Sequence, residues 1–191
     1  MEFLPNLGGR AMYGLVNRSM KEYITLHFGD GVWEKVKETA GIETDTYISN
    51  RGYDDQETYA IVGALSQHVG LTPTEILEEF GVHWILHTGR KGYSELFEAG
   101  GENLQEFLEN LPNFHTRISF ILPKLSPPKF RVLEKGPGYI RLYYNSHRDG
   151  LQPFVVGLLR GLGEMYNTTL TIQHTLKRAD GAKHDEFTIQ W

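Results

Sequence analysis

From Met12 onward the apolar positions step by three and four, through Leu15, Val16, Met20, Tyr23 and Ile24, with His27 on the same stripe. That spacing lays them along one face of a helix. Further helical patterns occupy 30–40, 54–69, 72–88 and 94–99. The segment at 72 opens with Thr72, Pro73 and Glu75, a capping box with proline at the first helical position, which sets its start. Asn103 with Glu106 caps another helix, whose stripe runs Leu104, Phe107, Leu108, Leu111, His115, Ile118, Ile121 and Leu122. Pro112 removes an amide donor inside that stripe, so a kink or break is expected there.

After "SPPK" the period changes from helix to strand. Residues 129–135 and 139–145 flank a "GPG" turn and read as a hairpin. A helix returns at 151–166, and 169–177 with 184–190 form a second hairpin around "RADGAK". The expected class is α+β: a helical N-terminal half followed by a small, four-stranded antiparallel sheet with helices packed on it.

Composition narrows the function more than the fold. The chain has 191 residues, 40% of them hydrophobic and 23% charged, which suits one filled core. We read residues 12–191 as a single domain. Residues 1–11 show no periodicity and precede a second methionine, so they read as an N-terminal extension, from an early start codon or left by cloning. The net charge of -5 with scattered basic residues argues against nucleic acid as a partner. There is no cysteine, which excludes disulfides, covalent C-x-x-C-H haem, iron–sulfur ligation and a thiol nucleophile. No apolar run reaches the length of a membrane span and no signal-peptide plan opens the chain, so the expected location is the cytoplasm and not a membrane.

Two features carry chemistry. His115 sits among leucines and isoleucines on the apolar side of its helix. The commoner reading of a lone histidine there is a satisfied core residue. The alternative is an axial ligand to a buried haem iron, which needs a neutral imidazole offered from an apolar wall. In "YYNSHRDG" the alternation of an extended chain sends Tyr144, Ser146 and Arg148 to one side. A half-exposed strand with a solvated arginine is the plain reading, and a cluster of donors gripping a carboxylate or phosphate is the functional one.

Weaker signals stand beside them. His83 and His87 are spaced i,i+4 as in zinc sites, but no third ligand follows and the glutamate of an H-E-x-x-H site is missing, so surface or partly buried histidines are expected. Gly157 and Gly161 share a face that permits close approach by a flat ring or by another helix. No nucleophile elbow, phosphate-cradling loop or dinucleotide fingerprint is present in the sequence.

Taken together, "MYGLVN", "VWEKVKETAG", "ENLPNFHTRISFILPKLSPPKF", "YYNSHRDGLQ" and "VVGLLRGLGEMY" resemble the haem nitric oxide/oxygen binding domains, H-NOX, which include the sensor domain of soluble guanylate cyclase. The resemblance runs from Met12 to the last hairpin. It implies a fold built around haem b, with His115 as the proximal iron ligand and Tyr144, Ser146 and Arg148 as a clamp on the propionates. It makes Pro128 the proline that presses on the macrocycle. Phe154 stands near the place where oxygen-binding members carry a donor tyrosine, Trp84 lines the gas pocket, and Val16 and Gly157 complete the cofactor-binding set.

The activity so implied is a sensor, not an enzyme. It would bind nitric oxide and carbon monoxide at ferrous iron, without stable dioxygen binding, and signal by release of the proximal histidine to a separate histidine kinase or cyclic-di-nucleotide enzyme. One rival is a haem enzyme of oxygen or peroxide chemistry, which would need polar acid–base groups that 151–163 scarcely offers. Another is a haem-free domain using the apolar cleft for a lipid or a partner.

Overall fold

A computed structural model describes residues 11–121 and 127–191. Two short strands, β1 (Ala11–Tyr13) and β2 (Gly52–Asp54), pair antiparallel with Met12 opposite Tyr53. At three residues each they are too short to show alternation in sequence. Between and after them come α1 (Gly14–Phe28), α2 (Asp30–Thr39) and α3 (Asp55–Val69), as the apolar spacing predicts. Asp54 caps α3 by accepting from the Gln56 amide at 2.9 Å. Met20, Ile24, Trp33, Val36, Ile61 and Leu65 are buried among these helices.

The next helix, α4 (Pro73–His83), starts at the expected capping box. Thr72 N–H donates to Glu75 Oε2 at 2.8 Å and Glu75 N–H donates to Thr72 Oγ1 at 3.2 Å. The chain divides into two compact units, and the division falls inside α4 after Ile76. Val16 belongs to the first unit, half-buried on α1.

In the second unit the helical pattern of 72–88 is not one α-helix. It passes at Trp84 into a π-helical segment, Trp84–Gly89, and then into α5 (Arg90–Glu98). Tyr93 leaves helical geometry at φ -144°, ψ 29°, immediately before the helical pattern that begins at 94. The helix α6 (Leu104–Ile121) is capped as expected, with Glu106 N–H donating to Asn103 Oδ1 at 3.0 Å and Asn103 Nδ2 donating to Glu106 Oε1 at 2.8 Å.

Pro112 does not break α6, contrary to expectation. Its ring lies on the exposed side, while Leu104, Phe107, Leu108 and Leu111 bind the helix to the core just before it. Burial of about four large side chains outweighs one missing hydrogen bond, since each contributes roughly 1.5–3 kcal/mol against about 1. The stripe's burial fades toward the C-terminus, where Ile121 is 51% exposed. Leu122 lies outside the described residues.

The sheet has the order β3-β4-β6-β5, all antiparallel: β3 (Lys129–Gly136), β4 (Tyr139–Asn145), β5 (Thr171–Leu176) and β6 (Asp185–Gln190). Helix α7 (Gln152–Met165) links β4 to β5. Ile140, Leu142, Phe187 and Ile189 from the two central strands join Phe107, Leu108 and Leu159 in the core of this unit. The architecture is thus the α+β arrangement with a four-stranded antiparallel sheet that the pattern predicts.

Candidate haem site

His115 is half-buried on α6. Its Nδ1 lies 3.0 Å from the carbonyl of Leu111, one helical turn back. A carbonyl only accepts, so Nδ1 carries the hydrogen and Nε2 keeps its lone pair. Phe130 stacks on the imidazole with centroids 5.3 Å apart and planes at 17°, and Phe114 meets it edge-on at 5.8 Å. Burial among these rings is the larger influence on the imidazole and pushes its pKa down, while the Leu111 carbonyl pulls it up. The ring is therefore held neutral, fixed in one tautomer, with Nε2 as its donor atom toward a metal.

The expected alternation of 144, 146 and 148 is present and outlasts the strand. β4 ends at Asn145, yet burial alternates through Tyr144, Ser146 and Arg148, which are 2%, 7% and 8% exposed. The half-exposed strand with a solvated arginine is excluded by these values. The Arg148 backbone N–H donates to Ser146 Oγ at 3.1 Å, which leaves the serine hydroxyl its own hydrogen to give. Tyr144 packs against Phe130 at 5.1 Å and Phe187 at 6.1 Å. Phe130 thereby touches both His115 and Tyr144. It joins the two features singled out in the sequence, and as one apolar strand residue among several it gave no sign of that role. Pro128 is half-buried just ahead of β3.

Trp84 and Phe154 are also brought together. Phe154 stacks on Phe80 at 5.3 Å and meets Trp84 edge-on at 6.3 Å. His83 and His87 extend this aromatic group with rings stacked 4.6 Å apart. His83 is only 5% exposed, more deeply buried than expected, because it faces Phe80. Among the described residues no three His, Asp or Glu are placed to share a metal ion, so the pair does not make a zinc site there.

Gly157 takes the helix-packing alternative. A Cβ on it would lie 2.0 Å from the Glu78 carbonyl oxygen, and one on Gly81 would lie 2.6 Å from the Phe154 carbonyl oxygen. Helices α4 and α7 cross backbone to backbone at these two glycines, and Gly161 continues the contact against Ile85. This crossing sets where Phe154 sits relative to Phe80 and Trp84.

A model of the family described as Haem-NO-binding, HNOB, matches residues 13–174. The chain belongs to the HNOB (H-NOX) family. Among similar proteins, soluble guanylate cyclase gcy-35 of Caenorhabditis elegans is 30% identical over 167 residues, covering 85% of this chain and 24% of that protein. Soluble guanylate cyclase 89Db of Drosophila melanogaster is 23% identical over 161 residues, with 84% and 24% covered. This HNOB chain thus spans about a quarter of the length of these curated relatives. An H-NOX protein from S. oneidensis in the Fe(II)NO ligation state superposes with a TM-score of 0.85 at 19% identity, covering 94% of this chain and 98% of that one. The Fe(II) unliganded H-NOX protein from K. algicida gives 0.83 at 23% identity, with 94% and 96% covered. These two establish the fold.

The family's haem can be checked against the residues of this HNOB domain. It needs a neutral nitrogen donor and cationic or hydroxyl partners for two carboxylates. The domain has an imidazole whose only unbound nitrogen is unprotonated, and a buried guanidinium, phenol and hydroxyl on one side of the chain. The donor set fits.

Proposed function

We propose that this domain binds haem b through His115 Nε2 and reports nitric oxide to a separate protein. The observation that carries the reading is the fixed tautomer of His115, set by the Leu111 carbonyl. Arg148, Tyr144 and Ser146 would bind the two propionates, and Pro128 would stand against the macrocycle. Phe154 and Trp84 would face the gas. Bound haem supplies a ferrous iron with one position open to a diatomic ligand.

The protein's own part is to hold, shape and release. His115 would hold the iron through Nε2 while its Nδ1–H stays on Leu111. Phe154 and Phe80 carry no hydrogen-bond donor, and on this reading Trp84 lines the pocket with its ring and does not give its indole N–H to the gas. A stable oxygen complex would assign that donor role to Trp84. Dioxygen depends on such a donor and nitric oxide does not, so nitric oxide and carbon monoxide are the ligands of this reading. The family description, Haem-NO-binding, and the Fe(II)NO ligation state of the S. oneidensis protein support it for nitric oxide. The signal would pass in the cytoplasm to a histidine kinase or a cyclic-di-nucleotide enzyme.

The test is an absorption spectrum of the purified ferrous protein in air. An intense Soret band without an oxygen complex is expected, and His115→Gly should lose the pigment unless imidazole is added. A colourless native protein, or an unaltered spectrum in that variant, sinks the proposal.

A further inference from the structure

The Ser146–Gly150 segment lies beyond the end of β4, so no strand ladder holds it. Its order has another source in the β5–β6 turn. There Arg178 opens its guanidinium fork on either side of Arg148. Nη1 donates to the Ser146 carbonyl at 2.6 Å and Nη2 donates to Asp149 Oδ1 at 2.6 Å. The segment is thus gripped at the Ser146 carbonyl before, and at the Asp149 side chain after, the residue whose side chain is buried.

Arg178 is itself anchored. Its backbone N–H donates to Oδ1 of Asp185 at 3.0 Å, and Asp185 is fully buried. The same carboxylate accepts from His174 Nε2 at 2.8 Å and from Gln152 Nε2 at 3.2 Å. Asp185 also stands opposite Tyr144 in the β4–β6 register. A slip in the β5–β6 register between His174 and Leu176 accompanies the turn that carries Arg178. One buried carboxylate therefore ties the turn to the first residue of α7 and to the strand that bears the phenol.

We propose that Arg178, seated on Asp185, is the positioning residue of the acid clamp, holding the Ser146 carbonyl and the Asp149 carboxylate so that Arg148 and the Ser146 hydroxyl between them face a carboxylate ligand. This rests on the haem reading of the same site. Arg178 spends its fork on the loop, so it acts on the ligand only through Arg148 and Ser146. A preorganised fork loses less freedom on binding than a loop that must first be ordered.

The experiment loads the full chain with haem or with haem dimethyl ester, whose side groups carry no charge, and follows transfer of each pigment to excess apomyoglobin. The native protein should lose the ester faster than haem. Arg178→Ala should speed haem loss about tenfold, the scale of one charge-assisted bond, and leave ester loss unchanged. Asp149→Ala removes one arm of the grip from an exposed side chain and should move haem loss in the same direction by less. It decides the matter should Arg178→Ala fail to fold.

The outcomes separate. A native chain that releases both pigments alike overturns the clamp itself. If Arg148→Ala abolishes the difference while Arg178→Ala and Asp149→Ala keep it in full, the positioning role alone is overturned. Equal acceleration for both pigments in Arg178→Ala marks general loosening and also overturns it.

Discussion

The Nδ1–H of His115 donates to the carbonyl of Leu111 across 3.0 Å, so the ring that faces the proposed iron is tethered to its own helix. Thr116 and Ser119 hydroxyls donate one turn back in the same way, to Pro112 and His115 carbonyls. The His115 bond differs in that its donor also carries an unprotonated nitrogen. Helix position and ring electronics are coupled at one residue, since any movement of α6 moves Nε2.

A pH dependence follows from the burial of that ring. In the unfolded chain the imidazole titrates near its ordinary value of about 6.5, and in the folded chain lower. Below about 6.5 the unfolded chain takes up a proton that the folded chain refuses. The contribution of His115 to stability is therefore complete above that pH and is lost as pH falls toward the folded value. The loss is at most about 1.4 kcal/mol per pH unit. Denaturant unfolding of the haem-free chain between pH 8 and 5 should show a shallower acid loss in His115→Gln than in the native protein. Identical slopes would mean that the imidazole is not held neutral.

The clamp residues are expected to contribute unequally. Arg148 is charged and can give two parallel bonds, whereas Ser146 gives one from a neutral hydroxyl already accepting from the Arg148 amide. Losing a bond to a charged partner is worth about 1.5–3 kcal/mol, or roughly ten- to a hundredfold in affinity. Haem release should therefore accelerate in the order Arg148→Ala, then Ser146→Ala, with Tyr144→Phe nearer the serine variant. Full haem retention in all three would remove the clamp from the account.

At the α4–α7 crossing the effect should be on stability first. Gly157→Ala drives a Cβ to 2.0 Å from the Glu78 carbonyl oxygen, which is backbone and cannot swing aside. Overpacking of this kind costs about 1–3 kcal/mol. Gly157→Ala should therefore lower the melting temperature and also shift the spectrum of the gas complex, because Phe154 rides on the same helix turn. An unchanged melting temperature would show that the two helices separate freely.

How much of this was legible in the sequence depended on the range of the interaction. Thr72, Glu75, Asn103 and Glu106 announce helix starts because capping joins residues three apart. Tyr144, Ser146 and Arg148 were legible because a period of two needs no distant partner, and their burial continues past the strand end. The π-helical segment from Trp84 was not, since its residues keep an ordinary apolar spacing while the backbone changes hydrogen-bond period. Phe130, Arg178 and Asp185 were missed for a plainer reason. Arg178 reaches Ser146 across 32 positions, and its local setting is that of any polar hairpin turn.

The last expectation concerns the switch, which rests on the same His115 tether. On the haem reading, nitric oxide would weaken the hold of His115 on the iron strongly, and carbon monoxide much less. With nitric oxide His115 should let go, and with carbon monoxide it should stay. A released imidazole would keep its bond to Leu111 of its own helix, so the freed element is α6 together with its ring. Nearby at the end of that helix Phe120 is 83% exposed, so a shift of α6 changes a surface that a partner can read. A partner separates the two gases only through different affinities for the two states. Moving a population from mostly held to mostly released takes a difference of about 5.5 kcal/mol. The check is to record coordination number by absorption spectroscopy and partner affinity for both complexes. A five-coordinate nitric oxide complex, a six-coordinate carbon monoxide complex and unequal partner affinities are expected. Equal coordination and equal affinity would show that release of His115 is not the signal.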